Sequence, residues 1–123
     1  MPKIELSAAK GLVQKTGHGF IDADFQTDSG AVDLTAATTS SAARGALVHL
    51  VTQGGNVTFK LHGKEEGATA GQVKIIVALD GDNLTIQDRS GGGVTPATVL
   101  TNAGDLAICI FNGTTWIVGN SIG

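Results

Sequence analysis

Leu106-Ala-Ile-Cys-Ile-Phe111 and Thr114-Thr-Trp-Ile-Val118 are two runs of strand-forming residues, separated by the dipeptide Asn112-Gly113. Asn and Gly are the residues that best tolerate the positive φ angles of a two-residue β-hairpin turn. The stretch therefore predicts an antiparallel hairpin at the end of the chain. Its first strand is apolar at successive positions, so both of its faces need to be covered.

More strands precede this hairpin at short intervals. Val57, Phe59 and Leu61 alternate with polar residues, which is the period of a half-buried strand. The segment 73–79 is a second apolar run, and segments rich in Gly, Asp and Asn separate the runs. No convincing amphipathic helix lies between them, which favours an antiparallel sandwich or barrel over βαβ units. We predict an all-β fold, an antiparallel β-sandwich of the jelly-roll type with an extended N-terminal arm.

The chain of 123 residues divides into an irregular start and a strand-rich remainder. We assign residues 1–30 to an N-terminal arm with the first short strands, and residues 31–123 to the β-sandwich body. An extended segment of about 20 residues reaches about 70 Å, so such an arm can contact a neighbouring subunit or a larger surface. The apolar residues of this segment are the candidate contacts of the arm: Ile4, Leu6, Leu12, Val13 and Phe20.

Composition argues against several classes of partner. The chain has eight Lys and Arg residues against eleven Asp and Glu, a net charge of −3, and its basic residues are scattered. Nucleic-acid binding depends on clustered cations, so we predict no nucleic-acid partner. No apolar run approaches the about 20 residues that cross a bilayer, so we predict no membrane partner. Cys109 is the only cysteine, which excludes an intrachain disulfide.

No arrangement of residues indicates catalysis. The chain lacks a Gly-x-Ser-x-Gly elbow and a Gly-x-x-x-x-Gly-Lys phosphate loop, and Cys109 lies in the middle of an apolar run. His49 and His62 fall on consecutive predicted strands, but two imidazoles need further ligands to hold a metal ion. We predict no catalytic residue, cofactor or metal. His49, His62 and Trp116 are instead candidates for a subunit interface.

The C-terminal pattern, Gly104-Asp-Leu followed by Phe111-Asn-Gly-Thr-Thr-Trp116, resembles the end of many virion proteins of tailed bacteriophages, among them capsid decoration (cement) proteins and tail-fibre modules. The resemblance covers residues 71–123. It implies a non-enzymatic structural protein, made in the host cytoplasm and located on the capsid exterior. It further implies a homotrimer whose partners are other copies of itself and the major capsid protein.

Two alternatives stay open. A receptor- or glycan-binding module of a phage tail would place Trp116, Asn112 or the segment 91–96 on an exposed tip. More remotely, Gly19-Phe-Ile-Asp-Ala-Asp-Phe25 is similar to a motif of trimeric dUTP pyrophosphatases. In that family a Tyr stands where Phe25 does, and an Arg-Ser-Gly motif precedes the strand. Here Arg89-Ser-Gly91 follows it, and the Gly-rich C-terminal arm of the family is missing.

Overall fold

The computed structural model describes residues 3–7, 11–16 and 24–121, and it is all-β, as predicted. The described residues include one short helix, α1 (Ser41–Gly45), and a 3₁₀ turn at Lys64–Glu66. The strands are β1 (Lys3–Ser7), β2 (Gly11–Thr16), β3 (Phe25–Ser29), β4 (Val32–Asp33), β5 (Val48–Thr52), β6 (Val57–Lys60), β7 (Val73–Ala78), β8 (Leu84–Gln87), β9 (Gly93–Leu100), β10 (Leu106–Phe111) and β11 (Trp116–Ser121).

Strands β3 to β11 form one mixed sheet of nine strands in the order β3-β5-β7-β10-β11-β9-β8-β6-β4. Its two end strands, β3 and β4, follow one another in sequence, so the sheet nearly closes on itself. Strands β11 and β9 are joined by a single residue pair, Ile117 with Thr95. At this sparse junction the sheet separates into two layers. The larger layer holds β3, β5, β7, β10 and β11, and the smaller one holds β4, β6, β8 and β9.

The first six strands of this sheet, β3 to β8, alternate between the two layers, and within this set each strand pairs in parallel with the next strand of its own layer. Val51 pairs with Ala78 and Phe59 with Ile86, an offset of 27 residues in both layers (78 − 51 and 86 − 59). The chain therefore winds as a coil with two strands per turn. Strands β9 to β11 end the coil, and their pairings are antiparallel except for the single parallel pair between β11 and β9.

The predicted antiparallel sandwich of the jelly-roll type is therefore not confirmed, because the described sheet mixes parallel and antiparallel pairings. Parallel neighbours need a long connection, usually a helix. Here the connection between parallel neighbours passes through a strand of the opposite layer. Short turns therefore join one layer to the other, and their residues are the same as those of hairpin turns.

The terminal hairpin is confirmed, but its turn is longer than predicted. Phe111 pairs with Trp116, so the loop holds four residues rather than two. Asn112 Oδ1 accepts hydrogen bonds from the backbone N–H groups of Thr114 and Thr115, both at 2.9 Å. Among the four residues of this loop, Gly113 alone has a positive φ, of 100°, which a residue with a side chain rarely adopts.

One hydrophobic core lies between the two layers. Alternate residues of both layers point into it, and Phe59, Phe111 and Trp116 are its largest apolar members, each at most 1% exposed. Burying an aromatic side chain of this size contributes about 2–3 kcal/mol. The core holds the layers together, and the remaining residues of each strand form the two outer faces.

Candidate interaction surface

The outer face of the larger layer is apolar and carries no charge. Its strands expose alternate residues, which we call the apolar face: Phe25, Thr27, Ser29, Val48, Leu50, Thr52, Val73, Ile75, Val77, Leu79, Leu106, Ile108, Ile110, Ile117 and Gly119. Eleven of these fifteen residues are large apolar ones, and none is Asp, Glu, Lys or Arg. Ile108 and Ile110 leave 44% and 47% of their surface exposed.

The strand register makes this face continuous. Ile75 of β7 pairs with Val48 on one side and Ile108 on the other, and Val48 pairs with Phe25. Directly opposed side chains on neighbouring strands lie about 5 Å apart, so Phe25, Val48, Ile75 and Ile108 form one unbroken apolar row, and Thr27, Ser29 and Thr52 lie in other rows. Five strands about 4.8 Å apart and about 18 Å long cover about 400 Å². Exposed apolar patches of several hundred Å² are typical of interaction sites.

The outer face of the smaller layer has the opposite character. We call it the polar face, and it includes Asp33, Thr58, Lys60, Thr85 and Gln87, with Ala97 and Val99 as its apolar members. Its register places Asp33 beside Lys60 and Lys60 beside Gln87. The same coil thus presents a face suited to water on one side and a face suited to a protein contact on the other.

The predicted arm contains a hairpin rather than a single extended segment. Strands β1 and β2 pair antiparallel as a separate two-stranded sheet, whose register pairs Leu6 with Leu12 and Glu5 with Val13. Ile4 also lies in β1, whereas Phe20 lies outside the described residues. An isolated two-stranded hairpin is only marginally stable in water, so this one requires a surface to pack on. The role of these residues in capsid contact stays a prediction.

The three predicted interface residues, His49, His62 and Trp116, lie inside the chain. They are 0%, 1% and 1% exposed, and each has partners in its own chain. The indole N–H of Trp116 donates to the backbone carbonyl of His62 at 2.7 Å. Side chains with so little exposed surface contribute little contact area, so any contact between subunits depends on exposed neighbours.

His49 belongs to a buried polar chain that the sequence analysis did not find. Lys74 Nζ lies 2.9 Å from His49 Nε2, and His49 Nδ1 lies 3.0 Å from Asp28 Oδ2. The ammonium group also donates to the backbone carbonyls of Ala46 at 2.7 Å and Ala43 at 3.2 Å. These acceptors compensate for the burial of Lys74, which is 0% exposed. Lys74 lies two residues before Ile76 and four before Ala78 on β7, and both of these residues face inward. This alternation is the sequence signal that could have revealed the burial of Lys74.

Burial governs the ionisation of these groups. It lowers the pKa of Lys74 to about 8, and burial together with the nearby Lys74 charge lowers the pKa of His49. Burial also lowers the pKa of His62 to about 4 and raises the pKa of the Cys109 thiol to about 12. A thiol with that pKa is almost wholly protonated at neutral pH and is a poor nucleophile.

Among the residues that the structure describes, no group of three or more His, Cys, Asp or Glu is placed to hold a metal ion. No helix in the described ranges is both long and apolar enough to span a bilayer.

Comparison of the chain with protein-family models, with curated proteins and with solved structures gives no match.

Proposed function

We propose that this chain is a non-enzymatic structural protein of a tailed-phage virion. It is a capsid decoration protein that binds and stabilises the major capsid lattice from outside, as a homotrimer. The C-terminal sequence pattern supports the virion assignment. The apolar face carries the proposal, because a face without charges is suited to permanent contact with protein rather than to water.

The size of the apolar face supports association between copies. Burying this face of about 400 Å² contributes at most about 10 kcal/mol per copy, at about 25 cal/mol per Å² of apolar surface. Forming a trimer takes two associations, each of which costs about 4–15 kcal/mol in lost freedom of motion, so about 30 kcal/mol from three copies offsets the cost over most of that range. The placement of the strands in two layers around one core also supports the predicted sandwich-like body.

The width of the larger layer supports a threefold arrangement. Five strands span about 24 Å, and a triangle with sides of that length has its centre about 7 Å from each side. Side chains of packed sheets reach about 5 Å from the sheet, half of the usual spacing between sheets. Three apolar faces arranged as the sides of a triangle therefore nearly fill the space around a common axis.

In this arrangement the contact with the capsid falls to surfaces outside the apolar face. The polar face points away from the axis, and the β1–β2 hairpin lies in the part of the chain proposed as an arm. Many modest contacts repeated over a lattice stabilise a shell without any single dominant residue.

The test is co-sedimentation of the purified protein with expanded shells assembled from the major capsid protein of the same phage. We expect saturable binding by the full chain, and loss of binding on deletion of residues 1–18 with the oligomer retained. Undiminished binding by the truncated chain would reject the role of the arm. Failure of the full chain to bind would reject the decoration function.

A further inference from the structure

A groove of about 440 Å³ lies where three connections of the fold meet. The β6–β7 connection contributes Lys64 and Glu65, the β8–β9 connection contributes 88–90, and the β10–β11 turn contributes 113–115. Phe111 and Trp116 lie beneath them. The volume is within the range of small-molecule sites, about 300–1,000 Å³. The groove is separate from the apolar face and needs no second copy to form.

Side-chain hydrogen bonds hold two of these connections in shape. Asp88 Oδ1 accepts from the Ser90 N–H at 3.0 Å, the Ser90 hydroxyl at 2.7 Å and the Gly92 N–H at 3.0 Å. Asn112 fixes the β10–β11 turn in the same way, through its bonds to Thr114 and Thr115. A site with braced walls loses little conformational entropy when a ligand binds.

Arg89 is held in place at the edge of the groove. Its Nε donates to Glu66 Oε2 at 2.8 Å and Oε1 at 3.0 Å, and lies 3.1 Å from Glu65 Oε2. Gly63 allows this approach, because a Cβ there would lie 2.6 Å from Arg89 Cδ. Within the described chain the two terminal Nη groups of Arg89 have no hydrogen-bond partner. A planar pair of donors is thus positioned and left unused.

His62 borders the groove as a buried residue. It is 1% exposed, and its Nδ1 is inaccessible to solvent, so a ligand in the groove does not reach that atom. The pKa of His62 is lowered to about 4 by burial, so the ring is neutral at pH 7 and adds no charge to the groove. The polar contacts available to a ligand therefore come from the loops.

We propose that this groove binds a neutral saccharide, with Arg89 Nη donating to sugar hydroxyls and Glu65, Thr114 and Thr115 completing the hydrogen bonds. The lining holds two cations, Lys64 and Arg89, and two carboxylates, so it favours neither an anion nor a cation. A ligand with several hydroxyls matches its alternating donors and acceptors.

We expect the affinity of a single site to be low. Trp116 and Phe111 are each 1% exposed, so they offer almost no surface for a sugar ring to stack on. A dissociation constant of about 1 mM is consistent with hydrogen bonds alone in a groove that is open to solvent. Copies arranged side by side would raise the overall affinity without new contacts.

The test is a titration of the isotope-labelled full chain, followed by NMR, with glucose, galactose and N-acetylglucosamine up to about 50 mM. Inorganic phosphate is the anionic probe, which also examines the nucleotide-binding alternative. We expect at least one sugar to shift the Trp116 indole and the Thr114 and Thr115 amide resonances in a saturable way. Arg89→Lys keeps the charge but loses the planar donor pair, and should weaken binding about tenfold.

Thr115→Val removes a hydroxyl from the opposite wall and should also weaken binding, which guards against a purely structural effect of the Arg89 substitution. Lys60→Gln on the polar face is the matched control and should bind like the unaltered chain. The proposal is overturned by the absence of any sugar-dependent shift, by shifts with phosphate alone, or by sugar shifts that both groove variants leave unchanged.

Discussion

The two outer faces of this molecule are built by the same coil and differ almost completely. The apolar face has no charged residue among its fifteen positions, whereas the polar face places Asp33, Lys60 and Gln87 in one cross-strand row. Both faces lie over the same core, so the core does not explain the difference. Residues that do not point into the core are free to match their surroundings, and we infer that the surroundings of the apolar face are other protein.

Charge on the apolar face should have the largest effect on self-association. We expect Ile108→Lys and Ile110→Lys, alone or together, to weaken self-association at least about 100-fold, because burying an ammonium group without a partner costs several kcal/mol. Thr85→Lys on the polar face should leave self-association unchanged. Sedimentation velocity measures both, and circular dichroism checks that the fold is retained. Equal effects of the two lysines would remove the distinction between the faces.

Truncation of the core should lower stability without acting through either face. We expect Trp116→Ala to reduce the free energy of unfolding by about 3–5 kcal/mol, since it leaves a cavity and removes the hydrogen bond to His62. The measurement is urea denaturation in the Ile110→Lys background, where self-association does not contribute. A change in association with unaltered stability would place Trp116 at an interface after all.

Acid should destabilise the fold through its buried histidines. The pKa of His62 is about 4 in the folded chain and 6.5 in the unfolded chain, so the unfolded state takes up the proton first as the pH falls. Stability should therefore fall between pH 6.5 and pH 4, by about 3 kcal/mol from His62, with a further loss from His49. His62→Gln should remove the first part of this loss. An unfolding free energy that is flat over this range would contradict the burial of both rings.

The smallest effect tests the coil itself. Asn56 Oδ1 accepts from the backbone N–H of Asn83, one coil further on, at 3.0 Å. We expect Asn56→Ala to cost about 1 kcal/mol. Asn83→Ala is the matched control and should cost less, because the described residues include no partner for its side chain. Thermal unfolding compares the two, and a reversed order would argue against stacking of these turns.

Periodicity predicted the all-β class, and Asn112-Gly113 predicted the terminal hairpin. The parallel coil was missed because a turn between layers has the same residues as a hairpin turn. The signal was present in the repeat of Gly54-Gly-Asn-Val-Thr-Phe59 as Gly81-Asp-Asn-Leu-Thr-Ile86, 27 residues later (81 − 54). Recognising it would have placed β5 beside β7.

The sequence indicated that some strands are apolar on both faces, and those strands supply most of the apolar face. It could not show which face of each strand points into the core. That assignment needs the register between strands, which places Trp116 and His49 among the inward-facing residues. The groove beside Arg89 was likewise out of reach, since it unites three loops that lie far apart in sequence.

The most direct test of the account is the mass of the unaltered protein in solution, measured by sedimentation equilibrium over a wide concentration range. Burial of the apolar face between three copies predicts about 37 kDa, three times the chain mass of 12.4 kDa. A stable, well-folded species of 12.4 kDa at all concentrations would contradict the claim that this face is covered by other copies of the chain.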